Sequence, residues 1–298
     1  MWMLTLLAGR ADGEVVESCL LADDLDPPPL AVSRFDAEPG TQSIEALFTD
    51  APEPASIERL TAGLSLIAPP KVEIVADQNW VARVEATLSP VTAGRFVVHG
   101  PHDRHKVDGG QFAIEIEVGE AFGTAHHPTT RGCLIAIDRL LAADGSRQPG
   151  RSLDLGCGSG VLAIAIARMT RQPLVVASDL DRRSVEVADD NFRKNGVAEF
   201  TKAIVADGFA HPLLAAPAQF DLVVANILAE PLVELAPAVA RSLTPVARLV
   251  LSGLLDEQAA TVRNAYLATG LVATETLSLD GWSTLVFVTE VAATAPAH

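Results

Sequence analysis

Three short stretches of this chain carry residue types that chemistry can use, and each follows an apolar run. The first is Asp154-Leu155-Gly156-Cys157-Gly158-Ser159-Gly160, between the run Ser152–Leu155 and the helical pattern Leu162–Arg168. Glycines at such a turn let the backbone approach a ligand closely, and the first amides of the helix lack intrahelical partners. The second is Asp179, 19 residues beyond Gly160, at the end of Leu174–Ser178. A carboxylate there can accept both hydroxyls of a ribose, in a dinucleotide or in another nucleoside ligand. The third is Asn226-Ile227-Leu228-Ala229, which closes Asp221–Ala225. An amide at that edge offers a carbonyl acceptor to an amine.

The spacing of the glycines separates possible ligands. A dinucleotide fingerprint reads G-x-G-x-x-G and cradles a pyrophosphate; here the pattern is G-x-G-x-G, with Asp154 in front of it. An acid at that place repels a pyrophosphate and suits a ligand with a positive amino-acid portion. S-adenosylmethionine, with an ammonium, a sulfonium and no phosphate, is such a ligand. Methyl transfer from a sulfonium is an in-line displacement that needs a nitrogen lone pair about 3 Å from the methyl carbon, so positioning by Asn226 supplies most of the acceleration. Asp181 reads as a helix cap or a solvent-facing acid. Asp207-Gly208 either meets the adenine edge or forms a plain turn.

Other residues invite chemistry that their spacing does not support. His126-His127 lie in the turn-rich loop Gly119–Thr130, ahead of a helix beginning near Pro128, but no Cys or carboxylate stands at ligand spacing. His99, His102 and His105 surround Pro101 and read as a polar surface loop, so no metal site is expected. Cys157 is read as a small filler inside the glycine loop. Three widely spaced cysteines, Cys19, Cys133 and Cys157, argue against a disulfide framework and for a reducing cytoplasm.

The elements that position these residues alternate strand and helix from Gly119 onward. Ser152–Leu155, Leu174–Ser178, Thr201–Val205, Asp221–Ala225 and Arg248–Ser252 read as strands. Leu162–Arg168, Arg183–Asn195, a segment from Pro231 and Asp256–Thr269 read as helices. Val272–Ser278 and Trp282–Thr289 then flank Asp280-Gly281 as an antiparallel hairpin. The expectation is an α/β, doubly wound sheet with that hairpin at its edge.

The first part reads differently. Trp2–Leu7, a helix over Gly13–Leu21, the pair Ala31–Ala37 and Ser43–Thr49, a helix over Ser56–Ile67, and Val72–Val75 give the order βαββαβ, a small α+β, ferredoxin-like domain. Asn79–Leu88 reads as a connecting helix, and Arg95–His99 and Gln111–Val118 as strands around the loop Gly100–Gly110. Ala292–His298 is expected to fray. Residues 1–118 hold 8 basic and 19 acidic side chains, against 14 and 19 in residues 119–298. A chain of 298 residues with net charge −16 is a poor binder of nucleic-acid phosphates and suits a basic partner. The apolar runs are too short for a membrane span, and Met1–Ala8 lacks a basic leader.

Gly119–Thr130 followed by Arg131-Gly132-Cys133-Leu134, then Asp154–Gly160, Asp179-Leu180-Asp181, Asn191–Gly196, Ala225–Leu228 and Leu251-Ser252-Gly253, resemble in order and spacing the bacterial ribosomal protein L11 methyltransferases. The Ala121-Phe122-Gly123-Thr124 and His127-Pro128-Thr129-Thr130 portions are far more specific than the glycine motif, which class I methyltransferases share widely. The resemblance implies a class I methyltransferase, Rossmann-like sheet. It also implies S-adenosylmethionine-dependent methylation of the N-terminal α-amine and lysine ε-amines of that large-subunit protein. Carried over position by position, cofactor contacts fall on Thr130, Gly156, Asp179 and Asn226. In the family the leading domain recognises the substrate and a flexible linker swings it toward the site. Here that implies a recognition domain over residues 1–76, a linker helix over 77–92 and a methyltransferase domain over 93–298. The family usually has glycine where this chain has Ala125, which restricts the loop backbone.

Other readings are a methyltransferase acting on nucleic-acid bases or on glutamine, or a cofactor-binding ribosome-assembly factor without catalysis. The first two commonly show Asn-Pro-Pro-Tyr after the fourth strand. Here Ile227-Leu228 follow Asn226, with no aromatic to stack a flipped base.

Overall fold

A computed structural model describes residues 2–10, 12–21, 25, 27, 29, 31–38, 40–74, 90–107, 112–116, 127–143, 149–170 and 174–290. The expected helix Asn79–Leu88, the loop residues 119–126 with Ala125, and the tail Ala292–His298 lie outside the described residues. The chain divides into two compact units, Met1–Val84 and Glu85–His298.

The first unit is built from β1 (Trp2–Gly9), α1 (Gly13–Leu21), β2 (Ala31–Glu38), β3 (Thr41–Phe48), α2 (Pro54–Thr61) and β4 (Lys71–Ile74). The sheet order is β2-β3-β1-β4, with every neighbouring pair antiparallel, which is the split βαβ arrangement. Alternate residues of the central strands, Leu4, Leu6 and Ala8 with Ile44, Ala46 and Phe48, pack against Val16, Leu20 and Ile57 of the helices. The helix expected over Ser56–Ile67 stops at Thr61, where Ala62-Gly63 form a turn. Leu66 pairs instead with Ala8, and the Ile67 amide donates to the Leu7 carbonyl at 2.7 Å. Extended pairing with β1 wins over helical periodicity there.

The second unit opens with a three-stranded sheet of β5 (Val91–Ala93), β6 (Phe96–His99) and β7 (Phe112–Glu115). The loop after β6 contains a 3-10 turn, Pro101–Lys106. Then come α3 (Pro128–Ala143), β8 (Arg151–Leu155), α4 (Val161–Thr170), β9 (Leu174–Asp179), α5 (Arg182–Lys194), β10 (Thr201–Val205) and β11 (Phe220–Asn226). The chain continues through α6 (Ala229–Ser242), β12 (Leu243–Leu255), a 3-10 turn at Asp256–Gln258, α7 (Ala259–Leu267), β13 (Val272–Leu279) and β14 (Trp282–Val288). The seven-stranded sheet runs β10-β9-β8-β11-β12-β14-β13. Its first five strands are parallel; β14 is antiparallel to both β12 and β13.

Both faces of this sheet are covered. Val175, Ala177, Val224 and Val250 face α3, α4 and α5, whereas Leu153, Val176, Val223 and Leu249 face α6 and α7. A sheet buried on both sides explains why its strands read as continuous apolar runs. β12 is much longer than the expected Arg248–Ser252: Leu243 already pairs with Phe220, and the register shifts before Leu222 meets Arg248. Among the described residues no helix is long and apolar enough to cross a membrane.

Candidate active site

The strand order reverses between β8 and β11, and open α/β sheets bind ligands outside the carboxyl ends of the strands at that point. Gly156, Gly158 and Gly160 follow β8 with φ of +75°, +52° and +77°, a region that favours glycine. The amides of Gly156 and Cys157 donate to the Ser178 carbonyl at 2.8 and 3.0 Å. A Cβ on Gly156 would lie 2.3 Å from Ile227 Cγ2, so the loop and the β11 exit touch with no room between them. Asn191 on α5 donates through Nδ2 to the Ser159 carbonyl at 2.9 Å, fixing the loop from the side.

Asp179 ends β9 beside this loop. Its Oδ2 accepts the Gly158 amide at 2.9 Å, and its Oδ1 accepts the Asp181 amide at 3.0 Å. Each carboxylate oxygen keeps further lone-pair capacity. Asp181 caps α5 by accepting the amides of Arg183 and Ser184. Asn226 ends β11, and its Nδ2 donates to Oγ1 of Thr130, a buried residue in the first turn of α3, at 3.2 Å. The other amide atom, Oδ1, is buried without a hydrogen-bond partner.

These groups open on one cavity of about 610 Å³, within the usual range for small-molecule sites. Thr130, Gly156, Asp179 and Asn226 all line it. Much of its wall is apolar, including Leu155, Val161, Leu162 and Ile227, and the side chains of Leu180 and Leu228 stand largely exposed at 71% and 72%. Ala206 and Gly208 are among the lining residues and Asp207 is not.

His127 and Trp282, which no local motif marks as a pair, also line the cavity. Their ring centroids are 4.6 Å apart at 71°, an edge-to-face contact. His127 Nδ1 lies 2.8 Å from the Thr129 hydroxyl, and partial burial lowers the imidazole below its ordinary pKa. A tryptophan leaving the Asp280-Gly281 turn is the only sequence signal, and 155 positions separate it from His127.

Asp154 departs from its expected place. It is buried behind the glycine loop and is not a lining residue; Oδ2 accepts the Ala163 amide of α4 at 2.9 Å. Burial pushes its carboxyl up to about 8, so it serves the start of α4 rather than a ligand's positive group. Cys157 is a buried free thiol, and burial raises its pKa well above the ordinary value. Buried His99 donates through Nδ1 to the Gly100 carbonyl at 2.8 Å, while His102 sits 3.4 Å from buried Asp103. Among the described residues no three His, Cys, Asp or Glu side chains gather to hold a metal.

Comparison with known proteins agrees with this architecture. The family model described as ribosomal protein L11 methyltransferase (PrmA) matches residues 30–290. The chain is 45% identical over 271 residues to the ribosomal protein L11 methyltransferase of Rhodopseudomonas palustris (strain BisB5), covering 90% of each chain. It is 46% identical over 259 residues to that of Bradyrhizobium diazoefficiens, covering 86% of each. A crystal structure of the ribosomal protein L11 methylase from Lactobacillus delbrueckii subsp. bulgaricus superposes with a TM-score of 0.58 at 25% identity, over 67% of this chain and 98% of that one. The fold is that of class I methyltransferases, and the chain belongs to the ribosomal protein L11 methyltransferase family.

Proposed function

We propose that this chain transfers methyl groups from S-adenosylmethionine to the N-terminal α-amine and lysine ε-amines of ribosomal protein L11. The observation that carries the reading is the Asn226 Oδ1 atom, a buried acceptor without a partner on the wall of the cavity. Such an orphan costs about 1–3 kcal/mol unless a ligand supplies a donor, and an amine N–H does so. Thr130 accepts from the other end of the same amide, which leaves the carbonyl oxygen for the ligand.

The remaining lining fits the nucleoside. Gly156 offers a backbone without a Cβ, Asp179 a carboxylate for the ribose hydroxyls, and the Leu155, Leu162 and Ile227 side chains an apolar bed. When bound, S-adenosylmethionine supplies an electrophilic methyl group on a positively charged sulfur. Asn226 is the catalytic residue of this reading: it holds one amine hydrogen so that the lone pair stays directed at the methyl carbon. Thr130, Gly156, Asp179 and Asn226 hold the cofactor.

The nitrogen must be neutral. An α-amine titrates near ~7.7–8.0 and is partly neutral at pH 7, whereas lysine, near ~10.4, is neutral about once in a few thousand. The surroundings that lower His127 by desolvation disfavour an ammonium in the same way. We further propose that residues 1–76 recognise the protein substrate, that 77–92 form the linker and that 93–298 form the methyltransferase domain. The acidic excess of residues 1–118, 19 acids against 8 bases, suits a basic partner without phosphates. The reaction belongs in the cytoplasm, where ribosomal proteins are made.

The test is incubation with purified L11 and isotopically labelled S-adenosylmethionine, followed by mapping of methyl groups by mass spectrometry. Label on the α-amine and on lysines is expected. Cofactor binding without transfer, or label on glutamine or on nucleic acid, would overturn the reading.

A further inference from the structure

Trp282 owes its place to a two-residue turn. Asp280 and Gly281 have φ of +51° and +82°, and Leu279 pairs with Trp282 across them. The tip of the turn meets α3 through Arg131 and the largely exposed Asp280 at 3.6 Å. An exposed ion pair of this kind contributes little to holding a geometry. A stronger attachment comes from Asp256, in the 3-10 turn after β12. Its carboxylate accepts the Ser278 hydroxyl at 2.7 Å and the Ser283 hydroxyl at 2.5 Å, and its amide donates to the Gly281 carbonyl at 3.0 Å.

We infer that Asp256 is a positioning residue of the transfer site, which clasps both strands and the turn of the β13–β14 hairpin so that Trp282 stays against His127. This inference rests on the proposed amine methylation. One residue thereby grips the hairpin before, within and after the turn that precedes Trp282. The grip starts from β12, whose Leu255 pairs with Trp282 and whose Ser252 pairs with Asn226. Ser252 adds a second anchor, donating to the Ser283 carbonyl at 2.9 Å and lying 2.9 Å from the Thr284 hydroxyl. Trp282 and Asn226 are therefore referred to the same strand, and a side chain that does not line the cavity sets the distance between two that do. The two serine hydroxyls hold the Asp256 carboxyl below its usual range, Ser283 more than Ser278, so the charged acceptor persists through neutral and mildly acidic pH.

The test uses the full chain with Trp2→Phe and Trp80→Phe, which leaves Trp282 as the one indole of the three. Acrylamide quenching reads its exposure, and methyl transfer to L11 is measured in parallel with cofactor affinity. Asp256→Ala should raise the quenching constant severalfold and lower kcat about tenfold, less than the ~100-fold that a misplacement of about 1 Å can cost, with cofactor affinity unchanged. Asp256→Asn keeps one acceptor and should fall between, restoring part of kcat; it decides the matter if the alanine variant fails to fold. Unchanged quenching overturns the inference, and so does a loosened Trp282 with kcat unaltered. If the parent chain methylates nothing, the proposed function falls, and quenching alone still accepts or rejects the clasp.

Discussion

Replacing Asn226 by alanine removes an amide that joins α3 to the end of β11 and the orphaned acceptor beside it. The two losses affect different quantities. Without the amide, the buried Thr130 hydroxyl loses a donor, at a cost of about 1 kcal/mol. Deleting the unpaired carbonyl oxygen offsets this by a similar amount, so the melting temperature should move by only a few degrees. In the proposed role the oxygen holds, in the transition state, a nitrogen that is gaining positive charge, and such a bond contributes ~1.5–3 kcal/mol. At ~1.36 kcal/mol per tenfold, kcat should fall about 10- to 150-fold. Single-turnover transfer to L11, with cofactor affinity measured by calorimetry, separates chemistry from binding. Asn226→Asp sharpens the test. A carboxylate there stabilises the ammonium and raises the amine pKa, so the pH profile of kcat should move to the alkaline side. Full turnover in the alanine variant, or an acid-side shift in the aspartate variant, would refute the positioning role.

Asp179→Ala should weaken S-adenosylmethionine binding about 10- to 100-fold, the equivalent of one charge-assisted hydrogen bond; unaltered affinity in calorimetry would reject the ribose assignment. Asp154, buried and raised to about 8, retains in the folded state a proton that the unfolded chain releases near ~3.9. Its stabilisation is full below that lower value and is lost as pH rises toward about 8. Asp154→Asn should therefore flatten the fall in melting temperature between about pH 5 and about pH 8.5; equal slopes in both proteins would count against the assignment. Deleting residues 1–76 should spare cofactor affinity and abolish transfer to L11, and a truncated chain that methylates L11 at the full rate would remove the recognition role.

The parallel strands and the glycine loop were legible because local signals and tertiary demand agree there. Thr201–Val205 forms β10 with the expected bounds, and Gly13–Leu21 forms α1 with its own. Where they disagree, pairing decides. Leu64 and Ile67 keep helical spacing with Ile57 and Leu60, yet the Ile67 amide donates to the Leu7 carbonyl and Leu66 bridges to Ala8 in an extended segment. The strand expected over Arg248–Ser252 begins earlier, because Leu243 already pairs with Phe220. In the site, Asp179 and Asn226 were visible because each ends an apolar run. Asp154 stands inside such a run, one residue before its end, and the pleat, which turns alternate residues to opposite faces, sends its side chain toward α4. The His127–Trp282 contact was invisible for another reason: it exists only once the hairpin folds back on the sheet, and no periodicity encodes it.

Gly253 interrupts β12 with φ of +88°, and a Cβ built there would lie 2.2 Å from the Ile227 carbonyl oxygen. The floor beneath the acceptor amide is thus two main chains in contact, with no side chain in the gap. Any side chain at position 253 would have to push β12 away from Ile227, so main chain alone fixes the height of this floor.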